Sequence, residues 1–311
     1  MSKIIQKITG LCGCIPVKTC LILIFSLCLF SCGERPNDYD LFENLRDHTI
    51  QTFQDEGMTL RSDVPDIFSK PYVINLKGLF ILVFGATQLN VDLFLYESDA
   101  IASASLNMFE VPPDSGDFLD FAFTFRPSAK YRAPLVHGDV GAAMAGTDGS
   151  FSMDFYNLNQ EGMDLDEFFG DQISKINAAL ALVKPYQRQG EDRGKYIQHL
   201  VPYSSGIYRI EMDQSYISEN TEAAWQTYHE NALAAYKLYL DAYFTALSRL
   251  EPEDNETLIN ANKAGIDNFI DILYNEDYAA TMGKELFKDD FDTYYLDSFW
   301  RDGYYGTGIT P

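Results

Sequence analysis

Residues Phe125–Gly141 read FRPSAKYRAPLVHGDVG. The segment leaves an aromatic run, turns through Pro127, Ser128 and Lys130, and enters the apolar stretch Leu135-Val136 before His137-Gly138-Asp139. Apolar runs on either side of a polar turn are the signature of two antiparallel strands. The flanks extend the pattern. AIASASLNMFEV (100–111), DFLDFAFTFRP (117–127), APLVHGDVGAAMAG (133–146) and SFSMDFYNL (150–158) are four apolar or alternating runs, separated by PPDSGD, SAKYR and TDG. Four short strands joined this way predict an antiparallel meander.

Upstream, Leu41, Leu45, Ile50 and Phe53 recur at helical spacing, predicting a helix from about Leu41 to Phe53. Tyr72–Leu95 is rich in Ile, Leu, Val and Phe, with Gly78 and Gly85 as breaks, and reads as strands with turns. Downstream, a helix is expected over about Asp164–Val183, then a polar loop, then a strand in SGIYRIEM (205–212). Beyond Asn220 the pattern is helical: Ala223–Leu250, Leu258–Tyr274 and Thr281–Trp300. Helices before and after a block of strands predict an α/β fold of the α+β type, a three-layer α/β/α sandwich on a largely antiparallel central sheet, as one domain over 41–311.

The 311 residues carry 23 Lys+Arg against 46 Asp+Glu, a formal net charge of −23. Phosphate binding is driven by Lys and Arg, so nucleic acid is excluded as a partner, and anionic lipid surfaces repel such a chain. All five cysteines, Cys12, Cys14, Cys20, Cys28 and Cys32, lie at the N-terminus. Lys3, Lys7 and Lys18 precede CLILIFSLCLFSC, an apolar run too short to be a spanning helix and ending in small residues. This reads as a secretory signal over 1–31. Leu29-Phe30-Ser31-Cys32 resembles the lipobox of bacterial lipoproteins, which implies lipidation at Cys32, a tether over 32–40 and an extracytoplasmic domain that touches the membrane only through its anchor.

If Val136 and Val140 point one way along their strand, Leu135, His137 and Asp139 share the other face. Two polar groups on a covered face need partners, and their pKa values are then set by burial, as proton transfer requires. An exposed face, or a His137 that only caps a local hydrogen bond, is the alternative. His48, His137, His199 and His229 never occur at i, i+4, and no zinc, calcium, dinucleotide, P-loop or GxSxG motif is present. Tyr228, Tyr236, Tyr239 and Tyr243 recur at helical spacing, a pattern of core packing before one of ligand stacking.

Pro127, Tyr131, Pro134 and Asp139, in this order and spacing, resemble the central segment of the ferredoxin-dependent bilin reductases, whose relatives include the red chlorophyll catabolite reductases. Met153–Leu158, Tyr203–Ile210, Asn275–Phe287 and the ending DTYYLDSFW resemble later family segments, over about Ala100–Trp300. The resemblance implies an α/β/α sandwich holding a linear tetrapyrrole, such as biliverdin, between the sheet and the C-terminal helices. It implies no bound flavin, nicotinamide or metal: electrons arrive singly from ferredoxin or another external donor protein. Asp139 matches the family's proton-handling aspartate, Asp277 a second, and Glu110 a catalytic glutamate of some members. Arg209 and Tyr131 are implied in substrate binding, with Arg209 on a propionate. Two departures bear on activity. Ala122 stands where a catalytic histidine is often found, and His137 where a small or apolar residue is usual, so His137 is a candidate proton carrier. A lipoprotein signal also places the domain away from ferredoxin. The sequence therefore supports a bilin-reductase-like oxidoreductase, with a lipid-anchored tetrapyrrole or flat-ligand binding protein without catalysis as the alternative. A surface interaction protein with Asp139 exposed is a third reading.

Overall fold

The four runs around Phe125–Gly141 form the centre of one antiparallel sheet. A computed structural model describes residues 39–62, 72–84, 86–111, 119–141, 149–158, 164–190, 200, 203–219, 221–276 and 278–293. The signal, Cys32 and the tether as far as Asp38 lie outside the described residues, as does Asp277; Tyr39 and Asp40, expected in the tether, already belong to the first helix. Strands β3 (Gln88–Glu97), β4 (Ile101–Glu110), β5 (Leu119–Pro127), β6 (Leu135–Gly141), β7 (Ser150–Tyr156) and β8 (Ile210–Asp213) pair in chain order. Two short strands, β1 (Thr59–Leu60) and β2 (Tyr72–Asn75), both pair with β3 and complete eight strands, every pair antiparallel.

Strict alternation divides the sheet into two unlike faces. Phe121, Phe123 and Phe125 of β5, Val136 and Val140 of β6, and Phe151, Met153 and Phe155 of β7 are buried on the first. They pack against α1 (Tyr39–Asp55), α3 (Leu165–Phe169), α4 (Ile173–Val183) and α5 (Glu222–Leu247). The tyrosine stripe of α5 belongs to this core: Tyr228, Tyr236, Tyr239 and Tyr243 are buried. Phe155 stacks on Tyr239 with ring centroids 5.2 Å apart. The hydroxyls are satisfied rather than left to a ligand. Tyr236 bonds Thr49 Oγ1 at 2.7 Å, Tyr243 donates to the Pro134 carbonyl at 3.0 Å, and Tyr239 donates to the Tyr208 carbonyl. Each such bond removes the cost of burying a phenol, while each ring contributes roughly 2 kcal/mol by leaving water.

The second face meets α2 (Leu79–Phe84), α6 (Glu256–Glu276) and α7 (Tyr278–Phe287). Its apolar cluster gathers Leu89, Val91, Leu135 and Tyr156 from the sheet with Ile266, Phe269 and Ile270 from α6. Gly265 lets α6 approach: a Cβ there would lie 2.1 Å from the Leu158 carbonyl oxygen. Asn262 ties α6 to the β5–β6 connection through the Ala129 carbonyl at 3.0 Å. The predicted three-layer α/β/α sandwich is therefore the observed one.

Local differences have identifiable causes. Leu79–Phe84, expected as strand, is helical; a six-residue apolar run between glycines has no periodicity to separate the two forms. The helix expected over Asp164–Val183 is divided at Gly170, whose φ of 51° leaves the right-handed region. The strand expected over 205–212 pairs only from Ile210. Of the helix expected over Thr281–Trp300, the part within Tyr278–Phe287 is helical and a 3-10 turn over Lys288–Asp290 follows, with Lys288 at φ 51°; 294–300 lie outside the described residues.

Candidate functional site

On β6 the side chains of Leu135, His137 and Asp139 do share one face, the one turned toward α6 and α7. Gly138 between them faces the first core. A Cβ there would stand 2.5 Å from the Phe123 ring and 2.4 Å from the Ser152 carbonyl oxygen, so the chain needs glycine for β6 to pass beneath Phe123. The HGD triplet thus combines two polar side chains on one face with a steric requirement on the other.

Cross-strand register builds the surroundings. His137 lies opposite Thr124 on β5 and Asp154 on β7; Asp139 lies opposite Ala122 and Ser152. Thr124 Oγ1 and His137 Nδ1 share a hydrogen bond of 2.8 Å, which orients the imidazole. The Tyr156 ring stands beside it, centroids 6.4 Å apart, and Phe269 of α6 packs on Tyr156 at 5.1 Å. Asp139 is half-buried, and Ser152 Oγ donates to its Oδ1. Asp139 is therefore neither an exposed surface acid nor sealed in the core.

Asp154 is the most enclosed acid of this patch, 1% exposed. Its Oδ1 accepts from the Phe155 N–H at 2.8 Å and the Ser205 hydroxyl at 2.5 Å, and its Oδ2 from the Ser204 hydroxyl. Burial nevertheless outweighs these donors and the nearby Arg209 charge, and pushes the carboxyl up to about 6. Arg209 is buried beside it; its guanidinium meets Glu211 at 3.3 Å and Ser204 Oγ at 3.5 Å. Arg188 holds Glu211 at 3.3 Å and Asp213 at 2.9 Å.

The structure brings His137, Asp139 and Arg209 to one face of the sheet. It does not bring Glu110 or Tyr131 to them. Glu110, at the end of β4, follows the alternation of Leu106 and Met108, which face the opposite core. Tyr131 lies beyond the sheet in the β5–β6 connection, where it lines a cleft of about 470 Å³ with Glu56, Met58, Glu97, Asp99 and Phe244. Among the described residues no three His, Cys, Asp or Glu side chains converge as a metal site.

Four neighbours were not singled out from sequence: Asp120, Thr124, Ser152 and Asp154. Their signal was present as alternation, since phenylalanines at 121, 123 and 125 turn the even positions of β5 to the polar face. The register in which the strands pair was not.

A three-layer sandwich with an antiparallel sheet has a counterpart among solved structures. The fold is similar to that of phytochromobilin synthase from tomato, solved in complex with biliverdin. The TM-score is 0.56 at 13% identity, covering 85% of each chain. At that identity the likeness to phytochromobilin synthase shows the fold. No protein-family model and no curated protein matches the sequence.

Proposed function

We infer that this domain binds a linear tetrapyrrole over the His137–Asp139 face and reduces it by proton-coupled single-electron transfer. The observation that carries the reading is the placement of Asp139: half-buried, oriented by Ser152, and facing the C-terminal helices in a fold similar to one solved with biliverdin. Asp139 is the proton donor to the ligand, and a carboxyl against a π-system suits that role because desolvation favours its protonated form. His137, fixed by Thr124, is the second proton carrier on the strand. The electrons come from ferredoxin or another external one-electron donor protein, and no bound flavin, nicotinamide or metal takes part. Asp277, from the C-terminal segment, is a further proton-handling candidate. Arg209 would take a ligand propionate only by exchanging it for Glu211, which it already meets. Glu110 is given no catalytic role, because its strand position turns it to the other face. The lipobox-like Cys32 suggests a lipid-anchored, extracytoplasmic protein, whose donor then belongs to that compartment.

The test is a visible titration of the full chain in mild detergent with biliverdin, followed by reduced ferredoxin under anaerobic conditions. Binding with a shifted product band is expected. Asp139→Asn should retain binding and lose turnover by about a hundredfold or more; unchanged turnover would remove Asp139 from the chemistry. The second reading, a tetrapyrrole carrier without catalysis, is favoured by Ala122, which puts a methyl group directly opposite Asp139. Binding with no product under any one-electron donor would select it.

A further inference from the structure

Asp139 must regain a proton after each transfer, and Ala122, which faces it across the ladder, has none to give. The register offers an answer two residues away. Asp120 shares the face of Asp139, and it lies opposite Gly141 while Ala122 lies opposite Asp139. The two residues are therefore diagonal neighbours across β5 and β6, roughly 7–8 Å apart by sheet geometry, and their carboxyl groups are near enough to act on one another. Gly141 puts no side chain between them; a Cβ there would lie 3.6 Å from Asp120 Oδ1. Asp120 Oδ1 is buried and makes no hydrogen bond among the described residues, although the Phe121 N–H supports the carboxyl. A carboxylate oxygen buried without a donor is costly, and the group avoids that cost by keeping its proton.

The charged surroundings agree. On this face β4 offers Asn107 and Phe109, which carry no charge. On β6 and β7 stand His137, Asp139 and Asp154, and β8 adds Glu211 and Asp213, both paired with Arg188. Among the described residues, those of α6 and α7 included, Asp139 is the charged group that acts on Asp120. It adds like-charge repulsion to burial, and both raise the carboxyl well above the usual range.

We propose that Asp120 and Asp139 form a carboxyl pair that holds one proton at neutral pH, with Asp139 as the donor to the ligand and Asp120 as the reserve that reprotonates it. The pair rests on register, burial and like charge; its use in turnover rests on the bilin reading. In each half-reaction the external donor protein gives one electron to the tetrapyrrole, and the single proton of the pair passes from Asp120 to the Asp139 carboxylate and from Asp139 to the tetrapyrrole. Asp120 then recovers a proton from water. Two half-reactions deliver two electrons and two protons. Asp120 acts through Asp139 and is a positioning residue.

The experiment uses the full chain in detergent and reads the infrared stretch of protonated carboxyls against pH, without ligand. A band that survives to slightly alkaline pH is expected in the Asp154→Asn background, which removes the other raised acid of this face. Asp120→Asn should abolish it. Asp139→Asn should lower its midpoint by about one pH unit or more, because the like charge is gone; this arm decides the matter even where Asp120→Asn fails to fold. No such band, or a band indifferent to both substitutions, overturns the pair. With biliverdin and reduced ferredoxin, Asp120→Asn should still bind the ligand. Its kcat should fall about tenfold or more above neutral pH and much less below it. An unchanged pH profile overturns the reserve role. If biliverdin fails to bind the unsubstituted chain, the bilin reading falls and the reserve role with it, while the infrared band still decides the pair.

Discussion

Asp154→Asn is a direct test of how burial sets the proton inventory of this sheet. Asp154 is enclosed between β6 and the Tyr203–Tyr208 segment, with three hydrogen bonds and Arg209 nearby. Burial still raises its carboxyl from the ordinary 3.8 to about 6. A raised carboxyl means that the folded state prefers the protonated form. The stability from that proton is fully present below the unfolded value and is lost as pH rises through about 6. The displacement corresponds to a penalty of about 3 kcal/mol once both states are ionised, and about 2 kcal/mol of it develops between about pH 4.5 and about pH 8. Asparagine has no proton to lose. Its carbonyl can still accept from Phe155 and Ser205, and its amide faces Ser204. Whatever constant offset that amide introduces does not titrate. Urea unfolding of both proteins across this pH range gives the difference. The Asp154→Asn variant should gain about 2 kcal/mol on the parent protein from the acid to the alkaline end. A difference that stays flat with pH would refute the desolvation argument and show that the hydroxyls and Arg209 hold Asp154 near its ordinary value.

Other expectations follow from packing and from the N-terminus. Gly138→Ala forces a methyl into the Phe123 ring and the Ser152 carbonyl, and should cost about 2 kcal/mol or more, read as a lower denaturant midpoint; a loss under about 0.5 kcal/mol would contradict the close approach. Tyr243→Phe leaves the Pro134 carbonyl without its donor in the core and should cost about 1–3 kcal/mol in the same assay. Cys32→Ala should abolish incorporation of labelled fatty acid and release the chain from the membrane fraction; retention of label would place the lipid elsewhere or overturn the lipoprotein reading.

The meander was legible because each of its strands carries its own alternation. In DFLDFAFTF the phenylalanines mark one face without reference to any other strand, and in SFSMDFY the same holds for Phe151, Met153 and Phe155. The shared face of His137 and Asp139 followed from Val136 and Val140 for the same reason. The tyrosines of α5 were legible as core because a stripe at helical spacing between Ala and Leu must bury itself. The helix over Leu79–Phe84 was not, since a short apolar run fits either form. Glu110 looked equivalent to the other candidates until parity put it with Leu106 and Met108 on the far side of the sheet.

The sequence by itself determined the class of fold, the antiparallel pairing of its central strands, and which residues of each strand look the same way. Those properties are local: a period of two is written into every strand. Only the tertiary structure decided that Asp120 stands diagonal to Asp139, that Asp154 faces His137, and that Arg209 is held by Glu211. Neighbours across strands depend on register, and register is fixed where the whole sheet closes against its helices. The protonation of Asp120 and Asp154 depends in turn on how much water those helices and strands exclude, a property of the packed domain that no single segment carries.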